Sequence, residues 1–236
     1  MSSPSKKSLR YHWIAGGIAS SLSRFIPLPL VDGYIDERAK RYCLDKTLIY
    51  HGRKFEAKAI NPIYKDSTTI PGWVASKFKQ LALYPVRKVA KMMTASTGVP
   101  KDFARTYLLA RAIDFCLASN FLADSSSPSA LTNEARKIRE AFDSAFEKLD
   151  DILIKTTTRI IRREFSEMGP EVSAALAKIV GRPIHSSGSS EKEKNGRKTS
   201  KNSRSTLEDD AAFSKLASKF DEVFRKEMAD RNLQGV

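Results

Sequence analysis

Histidines, cysteines and paired carboxylates are the side chains with which this chain could perform catalysis or hold a metal ion. The three histidines, His12, His51 and His185, are far apart in sequence, and none has the spacing of a metal-ligand set. The two cysteines, Cys43 and Cys116, have no C-x-x-C neighbour. Neither a P-loop nor a G-x-S-x-G nucleophile motif is present. The sequence therefore favours a non-enzymatic protein, and we predict no catalytic residue, no metal ligand and no cofactor.

A second group of polar residues lies in the apolar stretch TYLLARAIDFCLA, close to Arg105. Arg111 and Asp114 are three residues apart, so they can pair on one face of a helix. We expect a structural ion pair here. The alternative is a buried polar pocket that binds an anion, which would make the chain a helical enzyme or small-molecule binder with an unrecognised site.

The charge of the chain points to anionic partners. The formal net charge is +14 over 236 residues, and the isoelectric point is about 9.8. An excess of this size favours nucleic acid, an anionic membrane face or an acidic protein as partner, although a basic soluble protein would also show it.

A hydrophobic fraction of 41% is enough for a buried core. The two cysteines, without a disulfide pattern, suit a reducing, cytoplasmic setting.

A basic amphipathic helix is predicted after Pro71. At about 100° per residue its cations fall within one sector, while the apolar side chains occupy another. This pattern predicts contact with an anionic surface, and a core helix with a solvated charged face is the alternative. The predicted surface cations are Lys77, Arg87, Lys88 and Lys91.

The most apolar segment of the chain runs from Trp13 to Ile35. Arg24 and two prolines interrupt it, so a simple membrane span is not expected. We predict a Pro-bent helical hairpin, and we expect the Gly16–Gly17 pair to serve close helix packing. Its apolar face needs a cover, which is lipid, a partner or the protein's own helices. The predicted membrane or partner contacts are Trp13, Ile14, Ile18, Leu22, Phe25, Ile26, Leu28 and Leu30.

A seam of heptad type marks the longest predicted helix, which begins with Ser127 as N-cap and Pro128 in the first turn. Such a seam can pair with another chain, so residues 131–156 could form a homo-oligomer. We prefer a long amphipathic helix that covers this protein's own core. The seam consists of Leu131, Ala135, Ile138, Phe142, Ala145, Leu149, Ile152 and Thr156.

The last part of the chain is predicted to be a tether and a helix. Residues 181–205 are rich in Ser, Lys, Arg and Gly, which is typical of a disordered basic linker that could neutralise nucleic-acid phosphates. Residues 206–232 follow as an amphipathic helix, which we expect to dock on a partner or on its own domain. Its apolar face carries Phe213, Leu216, Phe220, Val223 and Phe224.

The turn Ile26-Pro27-Leu28-Pro29-Leu30-Val31-Asp32 carries a family resemblance. With the small-residue helix before it, this turn is similar to the EcsC-like family and to the helical domain of unknown function that follows the GTPase domain in some bacterial GTPases. The resemblance covers the stretch from Ile18 to Ile35. It implies a bacterial, membrane-associated helical protein and no catalytic residues.

Together these patterns predict an all-α, multi-helix bundle. We expect residues 1–7 to be disordered, residues 8–180 to form a helical domain, residues 181–205 to form the linker and residues 206–232 to form the tethered helix. The favoured function is a non-enzymatic adaptor or scaffold, cytoplasmic or peripheral to the inner face of a membrane. The alternatives are a nucleic-acid-associated basic protein, and the helical enzyme or small-molecule binder described above.

Overall fold

The computed structural model describes residues 6–23, 31–55, 57–65, 98–122, 127–149, 157, 170–179 and 211–231. These residues form seven helices and no strand, which confirms the prediction of an all-α, multi-helix fold. The helices are α1 (Lys6–Ser23), α2 (Val31–Tyr50), α3 (Ala57–Tyr64), α4 (Gly98–Ala118), α5 (Pro128–Glu147), α6 (Pro170–Ile179) and α7 (Ala211–Asp230). None of them is long and apolar enough to cross a bilayer.

Helix α1 is central because it contacts α2, α4 and α6. Its glycine pair allows two of these contacts. A methyl group at Gly16 would overlap Sγ of Cys43 on α2, and one at Gly17 would lie 2.8 Å from Cδ2 of Phe103 on α4. The prediction that this pair serves close helix packing is confirmed.

The described part of the apolar N-terminal segment lies in the core. Trp13 is 1% exposed; its indole N–H donates to Oγ1 of Thr47 at 3.0 Å, and its ring meets that of Tyr107 edge to face. Ile14 and Ile18 are equally buried. These three side chains are therefore covered by the chain's own helices and leave no apolar surface for a membrane or partner. The predicted contacts Phe25, Ile26, Leu28 and Leu30, and the side chain of Leu22, lie outside the described residues.

The predicted heptad seam is also used within the chain. Helix α5 begins as expected, because the Ser127 hydroxyl accepts a hydrogen bond from the backbone N–H of Ala130 and Pro128 opens the first turn. The seam faces the core, where α5 contacts α3 and α7. Its buried members are Leu131, Ala135, Ile138, Phe142, Ala145 and Leu149. Ile152 and Thr156 lie outside the described residues.

Helix α7 packs on α4 and α5. Three ring pairs join it to them, with centroid distances of 4.9 Å for Phe213–Tyr107, 5.8 Å for Phe220–Phe142 and 6.1 Å for Phe224–Phe115. All the predicted face residues take part, since Leu216 is buried and Val223 is half-buried against the core. Of the two predicted docking sites, the structure shows the helix on its own domain. The predicted basic linker lies outside the described residues.

Candidate functional site

A polar cleft opens between α2 and the C-terminal end of α6, with a volume of about 370 Å³. This volume lies within the range of sites that bind small molecules. Helix α2 lines the cleft with Tyr34, Glu37, Arg38, Arg41, Tyr42 and Asp45. Helix α6 contributes Lys178 and Ile179 from the opposite side. Among α2 residues, a spacing of three, four, seven or eight positions keeps side chains on one helix face, so the sequence of α2 places this set together.

Arg38 connects the two walls of the cleft. Its Nη2 donates to the backbone carbonyl of Lys178 at 3.2 Å, and its Nη1 lies 3.4 Å from the Tyr34 hydroxyl. A guanidinium carries five N–H donors, so these contacts leave donors available for a ligand. Arg38 therefore both holds α6 against α2 and presents positive charge in the cleft.

Arg41 and Lys178 are the two cleft cations that neighbouring groups use least. The Arg41 side chain is 55% exposed, and its Nε lies 4.0 Å from Oδ2 of Asp45, at the outer limit of an ion pair. Lys178 is exposed and forms no ion pair with the residues that the structure describes. Both side chains can therefore turn towards an incoming anion without losing a strong partner.

Two carboxylates moderate the charge of the cleft. Glu37 and Asp45 lie on the same face of α2 as the arginines, so three cations and two acids leave a formal excess of one positive charge. Burial raises the pKa of Asp45, although Arg41 and Lys46 act in the opposite direction. The cleft is therefore suited to a ligand that combines an anionic group with hydroxyl or other hydrogen-bond donors.

His12 and Tyr42 form a neutral pair next to the cleft. A hydrogen bond of 2.9 Å joins the Tyr42 hydroxyl to Nδ1 of His12. Burial, with help from Lys46 and Lys178, lowers the pKa of His12 from 6.5 to about 4, and burial raises the pKa of Tyr42 to about 12. A general base or acid works best with a pKa near the operating pH, and both shifts move away from it. The pair is better suited to positioning Tyr42 than to proton transfer.

The predicted polar group around Arg105 does not converge on a pocket. Arg105 bonds Asp143 on α5, Arg111 bonds Asp221 on α7, and Asp114 bonds His51 at 2.8 Å. The expectation of a structural ion pair was correct in kind, but the partners of Arg111 and Asp114 belong to other segments. Spacing along one helix could not reveal them, because each partner is at least 63 positions away.

The predicted surface cations Lys77, Arg87, Lys88 and Lys91 lie outside the described residues. A different set of exposed cations is present on the outer face of α7, opposite its buried aromatic face. Lys215, Lys219 and Lys226 are exposed there and fall within a sector of about 40°, and the exposed acids Glu222 and Asp230 lie about 20° beyond its two edges. We call these three lysines the α7 lysine stripe.

Among the described residues, no three His, Cys, Asp or Glu side chains come together as a possible metal-ligand set. The sequence alone did not predict the cleft, because the segment DERAKRYCLDK indicates only a charged helix until α6 is placed beside it.

Comparison of the chain with protein-family models, with curated proteins and with solved structures found no match.

Proposed function

We propose that this chain is a non-enzymatic helical adaptor that associates with an anionic membrane surface in the cytoplasm by electrostatic attraction. The observation that carries the proposal is that the two sides of α7 differ in burial and in charge. Its aromatic face is buried against α4 and α5, whereas the α7 lysine stripe on its other side is exposed. The available surface of this helix is thus charged rather than apolar.

The N-terminal segment supports the same mode of contact. Trp13, Ile14 and Ile18 are buried, so they do not supply apolar anchors. Attraction between lysines and anionic lipid contributes about 1 kcal/mol per basic residue near the surface and weakens with salt. The net charge of +14 adds a long-range attraction that brings the protein towards an anionic surface.

Vesicle co-sedimentation tests the proposal. The full chain is mixed with phosphatidylcholine vesicles, with or without phosphatidylserine, and the K215Q/K219Q/K226Q variant is compared with a K54Q/K65Q/K101Q control. The control removes the same charge from exposed lysines on other elements. We expect binding only to anionic vesicles, weakened about 10- to 100-fold by the stripe variant and much less by the control.

Equal recovery of the protein in the supernatant with both vesicle types would overturn the membrane proposal. Nucleic acid is the alternative anionic partner, through the basic residues 182–204. A salt-dependent gel shift that is lost when these residues are deleted, without vesicle binding, would favour that alternative.

A further inference from the structure

The cleft between α2 and α6 carries an inference about ligand chemistry. We propose that it binds a phosphate group, held by Arg41 and Lys178 with Arg38 behind them. The inference extends the proposed function, from which it takes the assumption that the partners of this chain are anionic. It adds a discrete, saturable site to the attraction that the proposed function assigns to the α7 lysine stripe.

The arrangement of cations favours phosphate. Arg38 and Arg41 come from one helix and Lys178 from another, so positive charge meets a ligand from two sides of a cleft of about 370 Å³. A tetrahedral phosphate presents oxygens in several directions, which suits a cleft with cations on both of its walls. A carboxylate has only two oxygens in one plane. Guanidinium groups also bind phosphate oxygens in a bidentate manner, which adds geometric selectivity.

The two helices that form the cleft are held together before a ligand binds. The bond from Arg38 to the Lys178 carbonyl keeps the two helices together before a ligand arrives. Arg41 and Lys178 are the groups free to adjust, because neither has a close partner among the described residues. A site with one anchored cation and two adjustable ones requires little rearrangement of the backbone on binding.

The remaining lining residues restrict the rest of the ligand. Glu37 and Asp45 lie beside the arginines, and they would repel a ligand with further negative charge close to the phosphate. We therefore expect a single phosphate group with no second anionic group beside it. Glycerol 3-phosphate and the phosphate headgroup of phosphatidic acid both meet this description.

Titration calorimetry with the full chain separates the two sources. The probes are glycerol 3-phosphate, glycerol as the uncharged control, and phosphatidylcholine vesicles with or without phosphatidic acid. The variants are R41Q and K178Q, with R136Q and K137Q on the exposed surface of α5 as matched controls. Loss of one charge-assisted hydrogen bond is expected to weaken binding about tenfold or more in R41Q and K178Q, and not in the controls.

Saturable binding of glycerol 3-phosphate that R41Q weakens supports the proposal with a soluble ligand. Binding to phosphatidic acid vesicles alone, again weakened by R41Q, supports it with a lipid headgroup. No binding to either probe, or binding that R41Q and K178Q leave unchanged, overturns it. R41Q and K178Q leave the α7 lysine stripe unchanged. The two proposals can therefore fail separately: phosphate binding can be absent while anionic vesicles still bind, and vesicle binding can be absent while glycerol 3-phosphate still binds.

Discussion

Arg111 on α4 and Asp221 on α7 form a bidentate ion pair across 110 positions of sequence. Nε donates to Oδ1 at 2.8 Å and Nη2 donates to Oδ2 at 2.7 Å. Both side chains are only about one quarter exposed, at 27% and 23%. A bidentate pair between a guanidinium and a carboxylate is among the stronger ion pairs in proteins. It fixes the position of α7 along α4.

Breaking this pair should destabilise the fold. In R111Q the Asp221 carboxylate keeps its partial burial but loses two donors, so we expect the free energy of unfolding to fall by about 1–3 kcal/mol. Urea denaturation followed by circular dichroism measures this. The K226Q control removes an exposed cation from α7, the helix that carries Asp221, and should cost less than about 0.5 kcal/mol. Equal stability of R111Q and K226Q would show that the pair contributes nothing.

The glycine pair of α1 should tolerate no added methyl group at Gly16. G16A would overlap Sγ of Cys43, and we expect a loss of about 1–3 kcal/mol from overpacking. Adding C43A should recover part of this loss, because it removes the overlapping atom. The control is G33A on α2, where nothing lies within 4 Å of the added methyl. This change should stabilise the protein by a few tenths of a kcal/mol or leave it unchanged.

His12 should make stability depend on pH. Its pKa is about 4 in the folded chain against 6.5 for an unperturbed histidine, so the unfolded state binds more protons between these values. Stability is fully present above about pH 6.5 and falls as the pH drops towards 4. Allowing for partial solvent exposure, we expect a loss of about 1–2 kcal/mol. Thermal melts from pH 7 to pH 4 measure it, and H12N should flatten this part of the profile.

Glu227 should respond in a lower pH range. Hydrogen bonds from Lys148, Arg231 and Ser144 lower its pKa from 4.5 to about 2. Its stabilising effect is therefore present above about pH 4.5 and is lost as the pH falls towards 2. E227Q should lose about 1–2 kcal/mol at pH 7 and show a flatter profile between pH 4.5 and 2.

The partners of Glu227 should not be equivalent. The side chain of Lys148 is 58% exposed and that of Arg231 is 28% exposed, while Glu227 is 5% exposed. K148Q leaves the carboxylate bonded to Arg231, so it should cost less than about 1 kcal/mol. Urea denaturation of K148Q, E227Q and the K148Q/E227Q double variant gives the coupling energy between the two side chains. A larger loss of stability in K148Q than in E227Q would contradict the minor role of Lys148.

Local signals in the sequence were sufficient for several helix boundaries. Helix α2 ends at Tyr50, and Gly52 follows with a φ of 68°, so the glycine is the local signal for this helix C-terminus. Helix α5 begins after Ser127 because this residue is the N-cap and a proline follows in the first turn, as its sequence pattern predicts. Helix α3 carries no local signal of this kind, because its eight residues include Pro62 and are too short to show a clear period.

Contacts between helices were harder to predict. The sequence places Arg38 and Arg41 on one face of α2, yet only the position of α6 turns that face into a cleft. In the same way, the aromatic face of α7 was evident, but its choice between a partner and its own domain depends on the shape of α4 and α5. Periodicity indicates which side of a helix is buried and carries no information on what buries it.

The docking of α7 also has a consequence for synthesis of the chain. Asp221 is made 110 residues after Arg111, which at about 5–20 residues per second corresponds to roughly 5–20 s. During that interval the aromatic side chains of α4 and α5, such as Tyr107 and Phe142, lack the helix that covers them. The nascent chain is therefore expected to depend on co-translational protection by chaperones until α7 emerges from the ribosome.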